Sequence, residues 1–296
     1  MEFFQQVHLK EKSIVLKFLS WLFTVALVGG CSLLFWHYLS ARSVIRKPVH
    51  FNSVDDIPLP AGYKRQYLGT ASFGAWLRKI PLKADRTVYL YNGEKKGNQD
   101  AQFAVLDVSV GSKDLQQCAD AVIRLYAEYL YATRQFSKIA FHATDGTLMD
   151  YSSWTKGYRF ILQQGRLKKQ LTAAPAEGQA VFQQYLESVF SYAGTLSLSK
   201  ELELVADPWE IKAGDVFIRG GSPGHAVIVV DIAVNGKGQK IFLLAQSYMP
   251  AQDIHILQHP GSTLSPWYSN AVSGKLLATP EWIFNWEELR RFPGTR

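Results

Sequence analysis

The chain has 296 residues, 47% hydrophobic and 19% charged, with a formal net charge of +7. That balance makes most of the chain globular rather than disordered and is enough for one large domain or two modest ones, with a sizeable core. Only two cysteines are present, so a disulfide framework is excluded as the basis of the fold.

Residues 1–17 carry Lys10, Lys12 and Lys17 and read as a cytoplasmic N-terminus. Phe18 to Leu39 holds no Asp, Glu, Lys or Arg. As a helix it would span about 33 Å, enough for a hydrocarbon core of about 30 Å. It therefore reads as a transmembrane signal anchor. A second reading is a lipoprotein signal cleaved before Cys31, since Val28-Gly29-Gly30-Cys31 has the form of a lipobox. Both hold the rest of the chain at a membrane and outside the cytoplasm. Residues 40–60 read as a linker and 61–296 as a single α+β envelope domain. The positive charge suits anionic surroundings such as phospholipid heads or acidic wall polymers. No nucleic-acid motif is present.

Within that domain, Ser72 to Arg78 suggests a short helix, and Thr87 to Tyr91 and Ala101 to Val110 suggest strands. Asp114 to Thr133 carries the strongest helical periodicity, with Ser112 or Asp114 as cap and Cys118 in the first turn or so. Asp120, Arg124 and Glu128 fall on its opposite, polar face. Lys138 to Thr144 and Tyr158 to Gln163 suggest strands, and Gln179 to Tyr192 a second helix. A β-meander follows: DVFIRG, AVIVVDIAV, KIFLLAQ and DIHIL, with turns at Gly220-Gly221 and Asn235-Gly236. TPEWIFNWEELRRF at the end suggests a short amphipathic helix. Asp231, closing the AVIVV run, reads as a turn residue. The aromatic set Trp267, Tyr268, Trp282 and Trp286 suits either a sugar platform or core packing.

Cysteine catalysis needs a thiolate, a base to take its proton and a third group to orient the base. A helix N-terminus favours the thiolate, and Cys118 sits near one. His225 opens a strand directly after a glycine turn, which would let a substrate approach. Gln246 ends the neighbouring strand, within cross-strand reach of the ring. Gln117 and the Cys118 backbone N–H are the oxyanion donors of this reading. Taken singly, Cys118 also suits a buried structural cysteine and His225 a satisfied strand histidine. His142 and His255 are alternative bases, Ser222 is not set in a nucleophile elbow, and no spacing of ligand residues indicates a metal or other cofactor.

The pieces Gln117-Cys118, Gly214-Asp215-Val216 and Gly224-His225-Ala226-Val227-Ile228-Val229 resemble papain-like cysteine amidohydrolases of the CHAP and NlpC type. That resemblance implies a papain-like helix packed on an antiparallel β-meander or barrel, and amide hydrolysis through an acyl-thioester, with peptidoglycan peptides or another envelope polymer as substrate. The segments KDLQQCADAVIRL, AGTLSL, GGSPGHAVIVVD, LLAQSYMPAQDIHIL, SPWY and TPEW together resemble a bacterial envelope family catalogued as a domain of unknown function, which implies no activity. Two functions follow: a membrane-anchored Cys-His hydrolase, an amidase or peptidase of the cell envelope, or a non-catalytic envelope binding or scaffold protein.

Overall fold

A computed structural model describes residues 51–271 and 274–295. Its centre is a nine-stranded antiparallel sheet. The strands in chain order are β1 (Tyr63–Arg65), β2 (Gln102–Val105), β3 (Ala140–His142), β4 (Leu148–Asp150), β5 (Tyr158–Gln163), β6 (Arg166–Leu171), β7 (Glu203–Leu204) and β8 (Val216–Arg219). They continue with β9 (His225–Asn235), β10 (Lys240–Gln246), β11 (His255–Leu257), β12 (Tyr268–Ser269), β13 (Leu276–Ala278), β14 (Ile283–Asn285) and β15 (Leu289–Arg291). The main sheet runs β2-β11-β10-β9-β8-β15-β7, with β1 added to β9 and β12 to β10. The pairs β3-β4, β5-β6 and β13-β14 form separate two-stranded ribbons.

The predicted meander forms β8 to β11, but the papain-like architecture is not what the chain builds. Strands from both ends of the domain extend the meander into the nine-stranded sheet, and the ribbons and short helices sit around it. Edges that a small barrel would close on itself are covered here by β2, β15 and β7. Among the described residues no helix is long and apolar enough to cross a membrane. The anchor reading falls on residues 18–39, outside the described residues.

Period-two alternation divides the core into two layers. Ala226, Ile228 and Val230 of β9 face a core shared with the helix Cys118–Ala132 and the helix Gln179–Phe190. Val227 and Val229 face a second core with Phe217, Phe242, Phe284 and Trp286. The register between β9 and β10 slips at Leu243/Leu244, so β9 carries a bulge that reverses this parity and puts Ile232 in the second core. Asp231 beside it is no turn residue. It is fully buried in mid-strand and accepts hydrogen bonds from Arg65 Nε at 2.7 Å and Arg78 Nε at 2.6 Å.

Local chemistry explains the other differences. The helix Cys118–Ala132 starts four residues later than its periodicity suggests, because Asp114 does not cap it. Asp114 Oδ1 instead accepts the Ala251 N–H at 2.7 Å and Gln117 Nε2 at 3.2 Å. The cap comes from within the first turn: Asp120 Oδ2 accepts the Gln117 N–H at 3.0 Å. Asp120 is thereby buried, while Arg124 and Glu128 keep their expected pair at 2.8 Å. Thr87 to Tyr91 forms only isolated bridges. The C-terminal segment is no helix. Trp282, Phe284 and Trp286 alternate, and the chain makes β14, a 3₁₀ turn and β15. Within 51–60, Val54 and Ile57 are fully buried in the first core.

Candidate active site

Cys118 is the first residue of its helix, which packs across β9. The backbone N–H groups of Ala119, Ala226 and Cys118 itself each act to lower the thiol pKa. The second of these belongs to the peptide that links Ala226 to His225, so the thiol lies one peptide from the imidazole's own residue. No hydrogen bond joins Cys118 to His225 directly. The ring of Tyr248 lies 4.7 Å from that of His225, and its hydroxyl pKa is raised first by burial and then by Glu281 and Cys118.

His225 and Gln246 are brought together as expected. The register Ala245↔Ile228 makes them diagonal neighbours, and His225 Nε2 lies 2.8 Å from Gln246 Oε1. The amide orientation is fixed by what surrounds it. Gln246 Nε2 donates to Glu281 Oε2 at 2.7 Å and faces His255 Nε2 at 3.4 Å. A carboxylate can only accept, so the amide nitrogen must point to Glu281 and the amide oxygen to His225. An amide oxygen also only accepts. The proton of neutral His225 therefore sits on Nε2 and leaves a lone pair on Nδ1. His255 is held in the complementary form: its Nδ1 donates to the Asp253 carbonyl at 2.9 Å, and Nε2 is left to accept from Gln246. Behind Glu281 stands Lys96 Nζ at 2.7 Å, with Asn98 Nδ2 at 3.2 Å. The result is a chain from Lys96 through Glu281 and Gln246 to the ring of His225.

The groups rest uncharged. Burial holds His225 down at about 4 and His255 at about 3. Burial, together with the neighbouring Asp120 carboxyl, pushes the Cys118 thiol up to about 11. The helix N-terminus would favour a thiolate, but Asp120 occupies that end as the capping acid. Asp120 is itself pushed up to about 8 by burial, and its Oδ1 has no hydrogen-bond partner.

Other expected residues divide plainly. Gln117 caps the helix and its side chain is turned to Asp114. Trp282 Nε1 is buried without a partner, and its ring lies 5.3 Å from that of His225, so the indole packs against the imidazole while its N–H is covered. Asp215, in the glycine-aspartate motif, is a structural anion: Arg291 holds both its oxygens, at 2.6 and 2.8 Å. The glycine before His225 serves packing rather than substrate access. A Cβ on Gly224 would lie 2.4 Å from both the Gly221 carbonyl oxygen and Thr195 Oγ1. His142 is half-exposed beside Glu201. Trp267 and Tyr268 are core residues. Among the described residues no group of three or more His, Cys, Asp or Glu is arranged to hold a metal ion.

Lys96, Tyr248 and Glu281 were not singled out from the sequence as site residues, and Trp282 only within the aromatic set. Lys96 lies in the polar stretch EKKGNQD, and Glu281 and Trp282 lie in the segment expected to be helical. The period-two spacing of Trp282, Phe284 and Trp286 was the signal that would have shown extended chain there, with β14 at its centre.

No curated protein and no solved structure matches the chain, and the resemblance to CHAP and NlpC-type amidohydrolases gains no support from these comparisons. A family does match, over residues 54–291, which takes in every residue of the site. The chain belongs to the family described as Domain of unknown function (4846).

Proposed function

We propose that this domain is a cysteine hydrolase of amide bonds, with Cys118 as nucleophile and His225 as base. The observation that carries the reading is the fixed tautomer: Glu281 orients Gln246, and Gln246 takes up Nε2 of His225 and leaves the Nδ1 lone pair free to act as a base. Nδ1 takes the proton from Sγ, and the thiolate attacks the substrate carbonyl. His225 then passes that proton to the departing amine, leaving an acyl-thioester. Water, giving a proton to Nδ1, cleaves the thioester and restores the thiol. Of the oxyanion donors expected, the Cys118 N–H stands at the helix start, and the Gln117 amide must leave Asp114 to serve as the second. Proton transfer requires the thiol and ring to close up from their resting arrangement, as catalytic contacts in substrate-free enzymes often must. The substrate class that suits this reading is a peptide amide of peptidoglycan or a related envelope polymer, with residues 18–39 as the membrane anchor. That placement rests on the sequence alone.

One observation favours a second reading, a non-catalytic binding or scaffold domain: the thiol is buried and held protonated. Alkylation with iodoacetamide separates the two. A hydrolase predicts that Cys118 in the folded protein reacts faster than an exposed thiol at pH 7, and that His225→Ala slows the reaction about 10²-fold or more. Labelling that occurs only on unfolding, at the same rate in both proteins, selects the binding domain.

A further inference from the structure

On the second-core side of the sheet lies a cavity of about 310 Å³, lined among others by Trp209, Trp286, Asn270, Asn285, Lys275 and Glu287. We infer that it is a saccharide-binding site for one or two pyranose rings. It goes beyond the hydrolase reading and does not rest on it.

The chemistry of the walls carries this. Trp286 is fixed from behind, its ring edge-on to Phe217 at 5.2 Å and to Phe242 at 6.1 Å. Trp209 is half-exposed, and its backbone is tied by an N–H to Asp207 Oδ1 at 2.9 Å and a carbonyl to Lys240 Nζ at 2.6 Å. A half-exposed indole on an anchored backbone at a cavity wall offers a flat apolar face at little entropic cost.

Asn270 supplies the polar counterpart. It is 8% exposed. Its Oδ1 accepts the Lys240 N–H at 3.0 Å, so the amide cannot flip without losing that bond. Its Nδ2 is then left buried with no partner at all. An unpaired buried amide N–H₂ costs free energy in the empty protein, and a ligand oxygen that reached it as the wall of the cavity adjusts would relieve that cost. Lys275 and Glu287 carry opposite charges, so the cavity has no strong net field and does not select a polyanion or polycation. Indole rings, neutral side-chain amides and a volume near the lower end for small-ligand sites match the apolar face and hydroxyl rim of a sugar ring.

The cavity is also coupled in space to the thiol site. Trp282, Phe284 and Trp286 alternate along one strand segment, with Trp282 and Phe284 against His225 and Trp286 at the cavity. Four residues of extended chain separate those ends by about 13 Å.

Calorimetric titration of the Cys118→Ser domain with the tetramers of N-acetylglucosamine and of glucose tests the inference without any thiol chemistry. Binding of at least one tetramer with a dissociation constant below about 10 mM is expected. Trp209→Ala should weaken it about tenfold or more. Asn270→Asp keeps the oxygen that accepts the Lys240 N–H and replaces the unpaired N–H₂ with a carboxylate oxygen that only accepts, and it should weaken binding several-fold. Absence of binding by both tetramers in the otherwise unaltered protein overturns the inference. So does binding that both variants retain at full strength.

Discussion

Strand β9 buries one titratable side chain at its first residue and another in mid-strand, and the two positions use burial differently. Asp231 at the bulge is closed off by charge: two guanidinium groups hold its two oxygens, and Arg65 and Arg78 also donate to the carbonyls of Ile57 and Gln66. His225 at the strand's first residue is held by a neutral amide on one nitrogen only. The first arrangement uses both carboxylate oxygens and fastens β1 and the helix Phe73–Arg78 to the sheet. The second leaves the other ring nitrogen with a lone pair that the amide does not use. Charge compensation marks the structural position in mid-strand, and incomplete compensation marks the strand end with chemical capacity.

The largest expected effect breaks the structural position. Asp231→Ala would leave two arginines facing one another over an apolar strand, and should cost about 3–5 kcal/mol of stability. Urea unfolding at pH 7 measures it. A loss under about 1 kcal/mol would mean that Asp231 and its arginines do not fasten the sheet.

The next prediction sharpens the histidine end. His225 stays neutral in the folded protein down to about pH 4, whereas an unfolded histidine takes a proton near 6.5. Between those values the unfolded chain binds more protons, so stability falls as the pH falls through that window. His225 accounts for about 2 kcal/mol of loss between pH 6.5 and 5, and His255 acts in the same direction. In His225→Asn the decline over this interval should be smaller by about 2 kcal/mol. Equal declines in the two proteins would show that the ring is not held neutral by the fold.

These contrasts were legible in the sequence only where pattern and chemistry coincide. The meander β8 to β11, the Ser72-capped short helix and the long helix followed from periodicity and turn residues, and His225 and Gln246 do meet. What the sequence concealed depends on contacts between distant segments. Asp231 looked like a turn residue because a bulge is invisible without its partner strand. Asp120 looked exposed because helical spacing does not reveal that Gln117 would draw it in as a cap. Glu281 and Lys96, more than a hundred residues apart, orient the base through an ion pair that no local pattern announces. The nine-stranded sheet arises in the same way, from short strands such as β7 and β12, two residues each, whose pairing is decided by what they pack against.

Asp120 gives the smallest and most discriminating test, because it reverses the sign of the histidine effect. Its carboxyl titrates at about 8 in the folded protein, against 3.8 when unperturbed. Between those values the folded state binds the extra proton, so its contribution is fully present below about pH 4 and is lost as the pH rises toward 8. Falling pH therefore gains stability from Asp120 while it loses stability at His225, and part of the acid loss is masked. Asp120→Asn keeps an oxygen for the Gln117 N–H and abolishes the titration. The variant should gain about 1–2 kcal/mol at pH 8 relative to its parent, a discounted figure because the asparagine amide is also buried without a full set of partners. Its decline from pH 6.5 to 5 should be steeper. Above pH 8 it also removes a negative charge beside Cys118, so alkylation of the thiol should begin at lower pH than in the parent. If stability at pH 8 is unchanged and the alkylation profile does not move, Asp120 is not the acid that holds the helix-start thiol in its protonated form.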